Sequence, residues 1–289
     1  MKSLQVLFDN KIKTHLYNYY WKELGLFNWQ ELIQIRKNEV PRAKFLLKII
    51  EKLAGIQLKN SRMLDIGCGW GGFVVAGNEL GAKSMGCDVD KEVIEIAKLR
   101  SKIYHLKKKF CLSKSEKLPF PDETFDYVQC ITVFEHVQDV KKSISEFVRV
   151  LKKGGTGFVQ APNYNQPIEN HYKVLFPPKC PKTLAKIYLL MLARPYKYID
   201  SINYIDYESV KSEFEKNRAV VTDIGEQFKL LKSNQLSTDK SKKMNKSPQK
   251  QDWSYNATVA RIMSKLKHPC IRFVENQLNI HDINFLIHK

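Results

Sequence analysis

The chain has 289 residues, 43% of them hydrophobic and 27% charged. That is enough for one α/β domain with appendages around a sizeable core. Its most apolar later run, residues 187–193, is far below the roughly 20 residues of a membrane-spanning helix, so a soluble or at most peripheral protein is expected. The six cysteines form no C-x-x-C pair and no zinc-ligand spacing, so a reducing, cytoplasmic setting and no metal site are expected, and the net charge of +18 reads first as solvated lysines, next as attraction to a membrane surface or anionic substrate, and last as nucleic-acid binding.

In chain order, residues 1–57 read as a helical N-terminal extension. The apolar patch Leu4–Phe8 is broken by Asp9 and too short for a secretory leader. Ala43, Leu46, Leu47 and Ile50 recur at helical spacing and mark one apolar face. Tyr17, Tyr19, Tyr20, Trp21, Phe27 and Trp29 precede the core; packing against the sheet is their first reading and a lid over a ligand cleft their second.

Residues 58–289 form the main domain. Arg62-Met63-Leu64-Asp65-Ile66-Gly67-Cys68-Gly69-Trp70-Gly71-Gly72-Phe73 runs an apolar strand into a carboxylate, then a glycine turn, then a helix. Such a turn places a nucleotide-like ligand against a helix N-terminus. Gly67-x-Gly69-x-x-Gly72 also satisfies a dinucleotide fingerprint, with Asp88 about 20 residues on, where a ribose-binding acid belongs. Gly71 and Gly72 read as turn or helix–strand packing positions. The glycines leave a nicotinamide dinucleotide and S-adenosylmethionine (SAM) both open. Asp65 favours SAM, because a carboxylate is awkward beside a pyrophosphate and suits ammonium and sulfonium charge.

Strand and helix signals then alternate: strands at 62–66, 83–88, 108–112, 126–132 and 156–161, with helices at 71–80, 91–104 and 139–151. Asp90 is the expected N-cap of the second helix, and Lys153-Gly154-Gly155 the left-handed glycine cap of the third. The alternation predicts a parallel, doubly wound sheet. Residues 163–205 are an insertion after strand five, with a helix at 182–193, at the carboxyl edge of the sheet where ligands bind. A helix at 207–217, a strand at 219–224, a polar mobile loop at 233–252 and a helix at 253–268 follow.

Asp65-Ile-Gly-Cys-Gly-Trp-Gly resembles the first motif of class I SAM-dependent methyltransferases. Gly86-Cys87-Asp88-Val89-Asp90 resembles the second, and the stretch from Glu116 to Val128 the approach to their fourth strand. Phe134-Glu135-His136-Val137 and Arg149-Val150-Leu151-Lys152-Lys153-Gly154-Gly155 follow in the family's order. The resemblance covers residues 60–162, echoes weakly beyond, and points to the ubiquinone/menaquinone-type small-molecule subgroup. It implies an α/β, Rossmann-like seven-stranded, mostly parallel sheet, with 283–288 as the final antiparallel strand.

The resemblance also implies roles. Asp65 meets the methionine end of SAM, Gly67 and Gly69 make the turn, and Asp88 accepts from the ribose hydroxyls. The family's acid for the adenine amino group falls at Ser113-Lys114-Ser115-Glu116. Lys114 has no acceptor, so Ser115, Glu116 or a backbone carbonyl is expected there. Cys130, Ile131 and Thr132 are expected to line the cleft. His171 in the insertion is a candidate base for the acceptor, and His136 a candidate base or cofactor-shell residue.

The implied activity is methyl transfer to a small-molecule, glycan or lipid-linked acceptor, by expectation at oxygen. An RNA-directed methyltransferase and a catalytically idle SAM-binding partner protein are the alternatives. Against nucleic-acid amino groups, the segment after strand four reads Val133-Phe134-Glu135-His136 and lacks the Asn/Asp-Pro-Pro-Tyr/Phe motif. Pro119–Cys130 likewise lacks the Pro-Cys nucleophile of cytosine-C5 enzymes.

Overall fold

The computed structural model describes residues 2–23, 29–107, 109–169, 171–172, 174–192, 194–238 and 282–289. At its centre the apolar run 63–66 forms β1 (Arg62–Ile66), flanked in parallel by β2 (Lys83–Asp88) and β4 (Phe125–Ile131). β3 (Phe110–Leu112) extends one side, and β5 (Leu151–Ala161) pairs in parallel with β4. The last strand, β9 (Ile283–His288), inserts antiparallel between β5 and β8 (Val220–Asp223), giving the order β3-β2-β1-β4-β5-β9-β8. The order reverses beside β1, so the carboxyl ends of β1, β2 and β4 open a crevice.

Side-chain alternation divides the strands between two faces. Met63, Tyr127, Phe158 and Leu286 pack with α3 (Glu39–Ala54), α4 (Gly72–Glu79) and α9 (Gly225–Thr238). Leu64, Val128, Val159 and Phe285 face α6 (Val140–Val150), α8 (Tyr207–Lys216) and the insertion. α5 (Lys91–Ile103) starts at Asp90, whose side chain accepts from the N–H groups of Glu92 and Val93.

The N-terminal extension is helical: α1 (Lys2–His15), a π-helical stretch Leu16–Glu23, and α2 (Trp29–Lys37) lead into α3. Phe8, Ile12 and Leu16 pack on Val93, Ile96 and Leu99 of α5 and on Trp70 of the glycine turn. Arg100, 2% exposed, is ion-paired with Glu39 and bonds the Arg36 carbonyl, locking α3 to α5. Of the aromatic group, Tyr20 and Trp29 pack on this cluster, whereas Tyr17 and Tyr19 are exposed. Phe27 and the helix expected at 253–268 lie outside the described residues.

Three expectations are corrected. Lys153-Gly154-Gly155 does not cap α6. The helix ends at Val150 and β5 begins at once, with Gly154 (φ +73°) inside the strand and its N–H on the Lys289 carbonyl at 2.8 Å. Pairing of Leu151 with Phe125, and Lys289 Nζ on the Leu151 carbonyl at 2.8 Å, outweigh the local cap signal. The loop expected from 233 is helical to Thr238 as part of α9, and its remainder lies outside the described residues. The insertion carries more structure than expected: a two-stranded hairpin, β6 (Ile168–Glu169) and β7 (Val174–Leu175), precedes α7 (Lys182–Met191). Among the described residues, no helix is long and apolar enough to cross a membrane.

Candidate active site

At the carboxyl end of β1 the chain turns through Gly67–Gly72. The Cys68 N–H donates to the Cys87 carbonyl and the Gly69 N–H to Asp88 Oδ2, both at 2.9 Å, stitching the turn to β2. Gly67 (φ +68°) lies so close under Val133 that a Cβ would overlap its methyl groups, whereas a Cβ on Gly69 (φ +50°) would meet only open space. The turn therefore packs against the segment after β4 at Gly67 and faces open space at Gly69. Gly71 and Gly72 are packing positions: a Cβ would run into the Phe110 ring at the first and Glu39 at the second. Asp88 Oδ1 accepts from the Asp90 N–H at 3.0 Å. Burial pushes Asp88 above its ordinary range, opposed by these backbone donors. Each carboxylate oxygen keeps a further lone pair for a ribose hydroxyl.

Asp65 is 2% exposed. Its Oδ1 accepts from Gln129 Nε2 at 2.9 Å, and the Gln129 amide is itself held by the Tyr127 hydroxyl at 3.2 Å. Asp65 Oδ2 is buried without a hydrogen-bond partner among the described residues. Burial pushes this carboxyl up to about 7, with Gln129 pulling the other way. A desolvated carboxylate with an open oxygen is costly alone and is relieved by a cation. The amino group of a bound methionine moiety has the charge and donors to do this, so the residues present fit SAM.

Beside this turn lies a cavity of about 330 Å³, lined in part by Gly67, Asp88, Lys114, Val133 and His136. Ser115 and Glu116 line it too, and their polar atoms also bond within the protein. Ser115 Oγ is 2.9 Å from Ser143 Oγ, and Glu116 Oε1 accepts from the N–H groups of Gln138 at 2.8 Å and Asp139 at 3.2 Å. They brace the turn after β3 against the start of α6 while standing on the cavity wall, and the Glu116 carboxylate, like that of Asp88, keeps further lone pairs for a ligand donor. Lys114 Nζ donates to Gln138 Oε1 at 3.2 Å. Cys130 and Ile131 are corrected. The Cys130 side chain is fully buried in the core, and Ile131 packs toward the α3 face, so of the expected trio only Thr132 reaches the cavity. Strand alternation turns both side chains into the protein.

The two histidines, 35 positions apart in the chain, are brought together: their ring centroids lie 5.1 Å apart. His136 sits in the turn after β4, where the Asn203 N–H donates to the Glu135 carbonyl at 2.7 Å and Asn203 Nδ2 to the Val137 carbonyl at 2.5 Å. The exit of the insertion thus pins this turn. The Tyr198 hydroxyl lies 3.1 Å from His136 Nε2. Burial, then neighbouring His171, push His136 down to about 4, leaving it neutral at neutral pH. His171 Nδ1 is 2.8 Å from Glu169 Oε1, and the Tyr172 N–H donates to Glu169 Oε2 at 2.5 Å. Despite burial, its bond to His171 helps hold Glu169 below the usual carboxylate range. Glu135 is wholly buried, and burial pushes it up to about 7.

Residue-type reasoning missed Gln129, Glu169, Tyr198 and Asn203. Gln129 stands opposite Asp65 in the β1–β4 register, a relation that exists only once the strands pair. Glu169, two residues before His171, was the one local signal: an acid next to a candidate base.

Residues 64–159 match the model of a methyltransferase domain family. Over 106 residues the chain is 37% identical to a ubiquinone biosynthesis O-methyltransferase of Pelagibacter ubique, covering 37% of this chain and 44% of that protein. Over 95 residues it is 36% identical to the uncharacterized methyltransferase YcgJ of Bacillus subtilis, covering 32% and 38%. The match thus spans less than half the length of these curated relatives. The fold is shared with a putative sarcosine dimethylglycine methyltransferase from Galdieria sulphuraria (TM-score 0.53, 14% identity, 88% of this chain and 87% of that one). It is also shared with phosphoethanolamine N-methyltransferase 2 of Haemonchus contortus in complex with S-adenosyl-L-methionine (TM-score 0.52, 18% identity, 96% and 56%).

Proposed function

Since residues 64–159 are a domain of the class I SAM-dependent methyltransferase family, we propose that the whole protein is an enzyme that methylates a small-molecule acceptor at oxygen, a glycan or lipid-linked hydroxyl included. The observation that carries this reading is the buried Oδ2 of Asp65 at the head of the glycine turn, which has no hydrogen-bond partner among the described residues. It is a pre-built seat for an ammonium group, and a nicotinamide dinucleotide offers none there.

SAM, when bound, supplies a methyl group on a positively charged sulfur, an already activated leaving group. What remains for the chain is to hold donor and acceptor in line and to receive a proton. Asp65 holds the methionine amino group and Asp88 the ribose, while Val133 and the Gly67 turn close on one another. On the acceptor side, His171 is the proton acceptor, positioned by Glu169 at 2.8 Å. Because Nδ1 faces Glu169, Nε2 is the nitrogen left for the acceptor hydroxyl. That proton passes to His171 as the acceptor oxygen takes the methyl group, and His136, neutral and held by Tyr198, flanks the same space.

The reading is tested by calorimetric titration of the purified chain with SAM and S-adenosylhomocysteine, with Asp65→Ala and Asp88→Ala as controls. Micromolar binding lost in both variants supports it, and absence of binding to either ligand removes it. Screening hydroxyl-bearing acceptors with His171→Gln then addresses the acceptor side: a fall in kcat with SAM affinity unchanged is expected.

A further inference from the structure

The acceptor-side cluster contains a group that proton transfer does not use. Glu135 is 0% exposed, and neither carboxylate oxygen has a hydrogen-bond partner among the described residues. His136 Nε2 lies 3.8 Å from Glu135 Oε1. One oxygen of Glu135, one ring nitrogen of His136 and one of His171 all lie within 4.8 Å of one another. We propose that Glu135, His136 and His171 form a binding site for a divalent transition-metal ion of the Zn²⁺ or Co²⁺ class.

Four features point this way. A buried carboxylate with no hydrogen-bond partner among the described residues calls for a cation, and this one stands beside two imidazoles. One carboxylate and two imidazoles are the ligand set of borderline ions such as Zn²⁺, Co²⁺ or Fe²⁺, whereas Mg²⁺ and Ca²⁺ prefer all-oxygen shells. Glu169 stands behind His171 at 2.8 Å, the outer carboxylate that fixes a ligand histidine's tautomer and orientation. Three protein ligands beside a cavity lined by His136 leave a coordination position open to solvent or substrate, as in catalytic rather than structural sites. Tetrahedral bonds of about 2.0–2.1 Å put ligand atoms roughly 3.3 Å apart, closer than the spacing of up to 4.8 Å at which these three stand. Side-chain rotation of His136 and His171, 30% and 20% exposed, supplies that movement. Glu135 and His136 come from the turn after β4 and His171 from the insertion, so the site exists only where the insertion is folded onto that turn, which Asn203 and Tyr198 both contact.

The inference deepens the proposed function and rests on it only for what the ion would do. A cation here would hold the acceptor oxygen as its anion, the hydroxyl proton passing to solvent water, and His171 would then be a ligand instead of the proton acceptor. Binding itself needs neither SAM nor acceptor, so it is measured without them. The full chain is stripped with a chelator and titrated with ZnCl₂ by calorimetry and with CoCl₂ by visible absorption. One equivalent bound at micromolar Kd or tighter is expected, with Co²⁺ d–d bands. His171→Gln, His136→Gln and Glu135→Gln should each weaken binding at least tenfold while near-ultraviolet circular dichroism shows the fold retained; His171→Ala is the second variant at that position. Three outcomes overturn the proposal: no saturable binding, binding unchanged in the three variants, or thiolate-to-Co²⁺ charge-transfer bands that move the ion to cysteines. A chain that binds S-adenosylhomocysteine but no cation refutes the metal site alone. A chain that binds the cation but neither SAM nor S-adenosylhomocysteine refutes the methyltransferase reading alone.

Discussion

Gln129 Nε2 donates to Asp65 Oδ1 at 2.9 Å and leaves Asp65 Oδ2 buried with no partner among the described residues. The pair sits side by side on β4 and β1. One oxygen is thereby oriented by the protein while the other is kept for a ligand, and the cost of burial appears as a carboxyl pushed up to about 7.

SAM affinity should therefore depend on pH in a defined direction. Below pH 7 the free protein carries Asp65 protonated, and an ammonium ligand must expel that proton. Affinity should fall by up to about tenfold per unit as pH drops below 7 and level off above it. Calorimetry at pH 7 in buffers of different ionisation enthalpy should show a fraction of a proton released on binding. A flat affinity from pH 5.5 to 8 would dispose of the idea.

Asp65→Asn should separate stability from binding. The folded carboxyl lies near 7, above its ordinary value of 3.8. Its contribution to stability is therefore fully present below the unfolded pKa and lost as pH rises through 7. The loss is on the order of 4 kcal/mol at pH 8. The asparagine does not titrate, so without ligand it should melt higher than the parent chain at pH 8, and the gap should shrink by pH 5. SAM binding should weaken at least about 30-fold, as expected for loss of a buried charge-pair partner.

Gln129→Leu removes the donor that lowers the Asp65 carboxyl. The pH at which SAM affinity levels off should move upward, with near-parental affinity recovered at pH 9. Loss of binding that high pH does not restore would show that Gln129 acts by packing alone.

Gly67→Ala places a methyl group in the Val133 side chain at a residue with φ +68°. It should destabilise the chain by about 1–3 kcal/mol and depress SAM binding. Adding Val133→Ala should recover the steric part and leave the backbone part. Chemical denaturation of the single and double variants reads the two apart.

Arg100→Ala should cost about 2–3 kcal/mol, because the Glu39 carboxylate at the junction of α3 and α5 then keeps only its pair with Arg36. The N-terminal helices, docked on α5 and Trp70, should become sensitive to limited proteolysis. A parental protease pattern would show that α1 holds by its apolar contacts alone.

What the sequence determined was whatever is local. The apolar period from Arg62, the acid at its end and the alternating glycines specify β1, its turn and α4. The Asp90 cap starts α5, and the βα alternation specifies a parallel doubly wound sheet. Those signals are written in neighbouring residues because strand period, turn dihedrals and capping bonds span only a few positions. The glycine cap expected at Gly154 failed for the complementary reason: pairing of Leu151 with Phe125 and the reach of Lys289 are long-range contacts that override a local preference. The acceptor side belongs wholly to tertiary structure. Neither Gln129 beside Asp65, nor His136 against His171, nor the burial of Glu135 beside them can be read from spacing. Each depends on strands or loops distant in the chain being folded onto one sheet edge, and burial, which sets their chemistry, has no meaning until that edge is covered.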